Sequence, residues 1–157
     1  MAYRGKTIAN LKTGMTIKFL QTTGDTTGKL LEIEATYQPH SKEPVPHYHP
    51  NQDEDYEIIS GEFTARIEGQ LKVLKAGDKL HIPRNTIHSA WNNTDGITVM
   101  KWKVYPSMNT EYFLETVTGL AIDGKTNEQG MPDLLQNILL ARKFADFFCV
   151  IRPPMLV

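Results

Sequence analysis

The sequence lacks the features that mark disulfide-rich, nucleic-acid-binding and membrane-spanning proteins. It contains a single cysteine, Cys149, which excludes an internal disulfide. Lysine plus arginine (17 residues) nearly balance aspartate plus glutamate (18), so there is no cationic excess to hold a nucleic acid or an anionic membrane. The first residues contain no apolar run that could act as a signal peptide or span a bilayer. We therefore expect a folded cytoplasmic protein with neither nucleic-acid nor membrane partners.

Short alternating runs broken by turn residues fill residues 15–105, and this pattern predicts an all-β sandwich or barrel. Leu31, Ile33 and Ala35 share one face of a predicted strand, because side chains alternate along extended backbone. The run at 63–67 leads into Glu68-Gly69, which predicts a hairpin. Gly24 to Gly28 is predicted to be a turn.

The period changes after Pro106 and predicts two helices. Asn109 or Thr110 is expected to cap the first, and the second is expected to begin with Pro132 at its first position and Asp133 in its first turn. We divide the chain into a β domain with its N-terminal strand (1–106) and a C-terminal helical extension (107–157).

An apolar stripe in the second predicted helix is expected to pack on the β domain or on a partner subunit. Its members are Leu135, Ile138, Leu139, Arg142 and Ala145. The last residues, 153–157, are apolar for a free tail and are compatible with a longer natural chain.

Three of the five histidines lie in a pattern that is typical of a metal site. His47 and His49 are separated by one residue, so on a strand both imidazoles point the same way. Glu54 follows after a four-residue loop, and His88 must arrive from a separate strand. Three nitrogens and one carboxylate oxygen suit one divalent transition metal, which could be Fe, Mn, Ni, Co, Zn or Cu. Any one of these histidines taken alone is more often a surface residue.

The spacing around these residues is more specific than the residues themselves. The first segment reads H-x-H-x4-E-x6-G and ends at Gly61; the second reads G-x5-P-x-N-x2-H-x3-N and runs from Gly77 to Asn92. Together they resemble the two signature motifs of the cupin superfamily. The resemblance implies a jelly-roll β-barrel, and it implies that His47, His49, Glu54 and His88 are the ligands of one metal ion.

Two positions depart from the cupin pattern. Ser41 stands where the first motif opens with glycine, and Asn85 stands where the second motif has its second glycine. Asparagine tolerates a left-handed conformation better than other non-glycine residues, so we expect Asn85 to preserve the turn.

The resemblance implies a fold more closely than an activity, because cupins include dioxygenases, isomerases, decarboxylases and sugar-sensing domains. The small single-domain cupins loosely called quercetinase-like are the most similar group, and they suggest a metal-dependent dioxygenase that acts on a small oxygenated organic molecule. A non-catalytic ligand-binding or sensing module is the alternative, and an isomerase is a further one. We also expect a small molecule in the barrel, and a homodimer, since open sheet edges need covering.

Other candidate site residues are weaker. His81 lies two residues before Pro83 and could approach the cavity, whereas Arg66 is more often solvated. Tyr56, Trp91 and Trp102 could line an apolar pocket around the metal. The sequence leaves open which face of the strand at 63–67 points toward the metal: one face carries Phe63, Ala65 and Ile67, and the other carries Thr64, Arg66 and Glu68.

Overall fold

The computed structural model describes residues 1–128 and 130–151. Strands dominate the chain up to Tyr105, and helices follow. In chain order the elements are β1 (Thr7–Asn10), β2 (Met15–Gln21), α1 (Thr23–Thr26), β3 (Leu31–Tyr37), β4 (His47–Tyr48), β5 (Asp53–Ser60), β6 (Glu62–Ile67), β7 (Gln70–Lys75), β8 (Lys79–Ile82), β9 (His88–Trp91), β10 (Thr98–Tyr105), α2 (Thr110–Ile122), α3 (Leu134–Lys143) and β11 (Cys149–Val150).

The strands form two antiparallel sheets. The first has the order β1-β2-β3-β10-β5-β8, and the second has the order β11-β4-β9-β6-β7. Within the described ranges no strand pairing joins one sheet to the other, so the fold is a two-sheet sandwich without detected closure into a barrel. The predicted jelly-roll class, mostly β with C-terminal helices, is confirmed in this form.

The core lies between the sheets and follows the predicted alternation. Leu31, Ile33 and Ala35 are fully buried along β3. On β6 the inward face belongs to Phe63 and Ala65, which settles the question that the sequence left open. One cluster of buried residues fills the space beside the histidine segments: Ala35, Tyr56, Ile58, Phe63, Leu74, Ile82 and Met100.

The predicted turn at Gly24–Gly28 is wrong in its first half. Residues 23–26 form a single helical turn, α1, because the Asp25 carboxylate accepts hydrogen bonds from the backbone N–H of Thr22 (2.8 Å) and from its hydroxyl (2.9 Å). Thr27 then ends the helix in a left-handed conformation.

The second C-terminal helix begins later than predicted. Asp133 is the N-cap of α3, not a first-turn residue, because its carboxylate accepts the free N–H of Gln136 at 2.8 Å. Pro132 therefore lies outside the helix. The cap of α2 is Asn109, one of the two predicted residues.

The apolar stripe predicted for α3 does not pack on the β domain. Leu135, Ile138 and Leu139 are 69%, 46% and 53% exposed. The helix is held by Leu140, which joins Phe144 and Phe147 in a cluster against α2. Phe144 and Phe147 lie directly after α3, and burying their large side chains removes more apolar surface from water than burying the stripe would. Their packing therefore determines which face of α3 points toward the protein interior. The predicted contact of the stripe with a partner subunit stays a prediction, and residues 153–157 lie outside the described ranges.

In the part of the chain that the structure describes, none of the helices combines the length and the apolar character needed to cross a bilayer.

Replacing Gly61, the glycine that ends the first motif, should destabilise the fold more than replacing a glycine that has open space around it. It has a φ of 80°, and a Cβ added there would lie 2.5 Å from the carbonyl oxygen of Ile97. Gly77 has a φ of 92° with open space around it and serves as a matched control. Gly77→Ala should cost about 1–2 kcal/mol of backbone strain. Gly61→Ala should cost about 1–3 kcal/mol more, from overpacking. Urea unfolding measures both, and equal losses would contradict the packing argument.

Candidate metal centre

The structure brings the four predicted ligands together from both sheets. His47 lies on β4 and pairs in register with His88 on β9, and His49 follows β4 directly. One ring nitrogen from each of these three histidines lies within 4.8 Å of the others. Glu54 reaches the same place from β5, which belongs to the opposite sheet.

The carboxylate of Glu54 contacts two of the imidazoles. Its Oε1 lies 3.4 Å from Nε2 of His49, and its Oε2 lies 3.0 Å from Nε2 of His88. All three side chains are buried, with Glu54 only 1% exposed. The loop between His49 and Glu54 is fixed by the buried Gln52 amide, which donates hydrogen bonds to the carbonyls of Pro106 and Ser107.

Backbone carbonyls orient all three imidazoles in the same way. Nδ1 of His47 lies 3.0 Å from the carbonyl oxygen of Val45, and Nδ1 of His88 lies 2.9 Å from that of Thr86. Nδ1 of His49 lies 2.6 Å from the carbonyl oxygen of Phe147. A carbonyl oxygen only accepts, so each Nδ1 carries the hydrogen and each Nε2 of the neutral ring presents a lone pair.

The neutral imidazoles consequently present converging acceptors. Nε2 of His49 and Nε2 of His88 are buried and receive no hydrogen bond from a protein donor, and the Glu54 carboxylate oxygens beside them are acceptors as well. Such orphaned atoms are costly in a protein interior and call for a partner. A cation supplies one, and three imidazole nitrogens with a carboxylate oxygen form a donor set that suits a borderline divalent metal. The residues present therefore fit a metal ion.

Two aromatic side chains hold the Glu54 carboxylate in place. Trp102 donates its indole N–H to Oε1 at 2.9 Å, and Tyr56 donates its hydroxyl to Oε2 at 3.2 Å. The sequence predicted apolar lining for these residues, and the structure shows hydrogen-bond donors instead. Strand alternation indicates that Tyr56 lies near Glu54, because both are on the inward face of β5. Tyr56 also pairs in register with Trp102, which brings the indole to the same place.

Burial and charge shift the pKa values of the site residues. Burial, with a smaller effect of the neighbouring His88 and His49 imidazoles, lowers the pKa of His47 to about 3, so this ring is neutral at physiological pH. Burial raises the pKa of the Glu54 carboxyl, but His49 and His88 beside it outweigh this and lower the pKa to about 2, and Glu54 in turn outweighs burial at His88 and raises the pKa of that imidazole. Burial raises the pKa of Tyr56 well above its usual value, so its phenol stays protonated and donates.

The weaker candidates divide between the two faces of the sheets. His81 lies on the outer face of β8, where its Nδ1 is 2.7 Å from Oδ1 of Asp55, so it does not reach the cluster. Arg66 is also on an outer face, paired with Glu43 and placed 5.6 Å from the ring centroid of Trp91. The Trp91 ring thus lies beside Arg66, whereas Tyr56 and Trp102 contact Glu54.

Two residues at the site were missed in the sequence. The Phe148 ring packs 4.8 Å from the ring of His47 and 5.9 Å from the ring of His49, measured between centroids. Phe147 supplies the carbonyl that faces His49. Both follow α3 and belong to no periodic run, so no sequence pattern pointed to them.

The described residues also form a cleft of about 380 Å³, but it lies on the outer face of the first sheet. Asp55, His81, Lys101 and Lys103 are among its lining residues, and the four predicted ligands are not. Phe148 lies against two imidazoles of the cluster, and His47 is the partly exposed member of the three histidines.

Comparison with known proteins agrees with this arrangement. Residues 33–103 match the family model described as a cupin domain. The chain is 36% identical over 56 residues to an uncharacterised protein of Aquifex aeolicus (strain VF5), and the aligned segment covers 36% of this chain and 46% of that protein. It is 42% identical over 45 residues to quercetin 2,3-dioxygenase of Bacillus subtilis (strain 168), and this aligned segment covers 29% of this chain and 13% of that enzyme. The matches thus span less than half of each of these curated relatives.

A solved structure supports the fold. KdgF from Halomonas sp. superimposes with a TM-score of 0.57 at 19% identity, covering 66% of this chain and 89% of that one. Residues 33–103 contain both motifs, and the three-histidine cluster inside them is typical of metal-binding cupins. The chain therefore contains a cupin domain at residues 33–103.

Proposed function

We propose that His47, His49, His88 and Glu54 bind one divalent transition metal ion, and that the chain is a metal-dependent oxidoreductase of the dioxygenase type. One observation carries the metal site: lone pairs on buried Nε2 atoms converge with a carboxylate, and no protein donor satisfies them. Metals bind neutral imidazole and ionised carboxylate, and because Glu54 raises the pKa of His88, a proton on that imidazole competes with the metal as the pH falls.

The proposed chemistry follows from how many positions the protein leaves open. Four protein ligands leave about two positions free on an octahedral ion. A redox-active metal held there would supply the electron transfer that lets an oxygenated organic substrate react with O2. The chain contributes fixed ligands, a carboxylate oriented by Trp102 and Tyr56, and an apolar ring, Phe148, that limits water near the imidazoles.

Similarity to quercetin 2,3-dioxygenase supports this reaction class over others. That similarity spans 13% of the enzyme, so the reaction and its substrate belong to the proposal. A phosphosugar isomerase is less well supported, because Arg66 and Arg84 are committed to two-pronged ion pairs with Glu43 and Asp53.

A non-catalytic ligand-binding or sensing module is the second candidate. The observation that favours it is the cover over the cluster, since Phe148 packs on two imidazoles and Glu54 is 1% exposed. A metal enclosed in this way would stabilise the sandwich without turning over a substrate.

Replacing a predicted ligand should abolish metal binding, and replacing an outward histidine should not. Reconstituted wild-type protein is expected to hold about one divalent ion per chain, because the ligand set is complete. His88→Ala should lose it, whereas His81→Ala, whose side chain faces outward, should retain it. Elemental analysis after gel filtration measures the stoichiometry. Equal metal content in the two variants would contradict the assignment.

The dioxygenase hypothesis predicts oxygen uptake. Protein loaded with Fe(II), Mn(II), Ni(II), Co(II) or Cu(II) should consume O2 in an oxygen-electrode assay with a diphenol, diketone or thiol. The same sample stripped by a chelator should be inert. A metal-loaded protein that is inert across such a panel would favour the non-catalytic module.

Exogenous ligand binding tests whether the metal has an accessible position. Azide added to the Co(II) protein should change the visible absorption spectrum if a free position is reachable, as an enzyme requires. An unchanged spectrum in the wild type, together with a change in Phe148→Ala, would show a position sealed by the ring and would favour the second candidate.

A further inference from the structure

The segment after α3 runs directly past the proposed metal centre. We name Phe144–Ile151 the C-terminal strap. Its Phe147 carbonyl accepts the Nδ1–H of His49 at 2.6 Å across 98 residues of sequence. His47 and His88 instead use carbonyls two residues away, at Val45 and Thr86. Of the three orienting carbonyls, the one for His49 therefore depends on a distant part of the chain.

The backbone of the strap is fixed on both sides of that carbonyl. Before it, the amide of Asn51 donates to the carbonyl of Asp146 at 2.7 Å. After it, β11 pairs with β4, with Val150 opposite His47, and the N–H of Ile151 donates to Pro46 at 3.0 Å. The strap thus adds a strand to the edge that carries the first two histidines.

Side chains anchor the strap as well. Phe144 and Phe147 are each 2% exposed and pack with Leu140 against α2. The Phe148 ring lies 4.6 Å from that of Phe113 on α2 and also contacts the imidazoles of His47 and His49. This aromatic packing sets the position of the intervening backbone, including the Phe147 carbonyl.

We propose that the C-terminal strap is a positioning element of the metal centre, in which the Phe147 carbonyl holds His49 in the tautomer that presents Nε2 to the metal. A neutral imidazole has two tautomers, and an acceptor beside Nδ1 selects one of them. Such partners beyond the ligands are typically worth 10–100-fold in metal affinity. The proposal rests on the proposed function for its metal, but the tautomer of His49 exists without any metal.

Coupling between strap and metal follows by thermodynamic reciprocity. If docking of the strap raises affinity for the metal, binding of the metal must stabilise the docked strap by the same factor. Amide hydrogen exchange in residues 144–151 should therefore slow on metal binding in the wild type.

The test compares variants of the aromatic cluster. Phe147→Ala removes the buried anchor beside the carbonyl, and Phe147→Leu retains an apolar one. Leu140→Ala is the matched control, because it opens the same cluster from α3, seven residues before the residue whose carbonyl faces His49. Two quantities are measured: the His49 tautomer of the metal-free protein, from long-range 1H–15N NMR, and the dissociation constant for Co(II).

The expected results differ by variant. Wild type and Leu140→Ala should show His49 protonated on Nδ1 alone and should bind Co(II) within about threefold of each other. Phe147→Ala should show mixed tautomers and bind 10–100-fold more weakly. Phe147→Leu should recover most of the loss.

Several results would overturn the proposal. One is a folded Phe147→Ala with the wild-type tautomer and affinity, and another is a Leu140→Ala that weakens binding equally. If Phe147→Ala fails to fold, Asn51→Ala decides, since it releases only the exposed hydrogen bond to Asp146, and unchanged tautomer and affinity would count against the strap. A wild type with the single tautomer but no Co(II) binding would refute the proposed function and the claimed effect on affinity, while the positioning of His49 would stand.

Discussion

Burial of imidazole lone pairs that no protein donor satisfies is the constraint on which the site depends. Three carbonyls take the Nδ1–H groups of His47, His49 and His88, so their Nε2 lone pairs face one another beside an ionised Glu54. An arrangement of this kind costs free energy in a low-dielectric interior unless a cation compensates it. The rest of the structure keeps these groups in place: β4 and β9 bring the imidazoles, and β5 of the opposite sheet brings the carboxylate.

The support for these ligands extends well beyond the two motifs. Trp102 and Tyr56 fix both carboxylate oxygens from β10 and β5, and Gln52 ties the loop before Glu54 to the backbone that leads into α2. The C-terminal strap contacts the site through the Phe147 carbonyl and the Phe148 ring. The geometry of the proposed metal centre therefore depends on residues of both sheets and of the C-terminal extension. A cupin domain that ended at residue 103 would lack the Phe147 carbonyl that orients His49.

The sequence alone predicted which side chains lie together where motif spacing determines it. The H-x-H pair, the loop-delivered Glu54 and the returning His88 meet as expected, and Asn85 adopts the left-handed conformation (φ 63°) that its motif position requires. The sequence did not determine the features that long-range packing decides. The outward orientation of His81 follows from the register of β8 against β5, and the exposed stripe on α3 follows from the packing of Phe144 and Phe147. The contact between Phe147 and His49 spans 98 residues, and no local pattern encodes it.

The central claim is that one metal ion binds the Nε2 atoms of the three histidines and an oxygen of Glu54. A crystal structure of the metal-loaded protein with anomalous diffraction tests this most directly. The account predicts a single anomalous peak per chain among these four side chains, at about 2.0–2.2 Å from each ligand atom for an ion such as zinc. A metal bound through an Nδ1 atom, or one bound elsewhere while the four side chains remain without an ion, would contradict it.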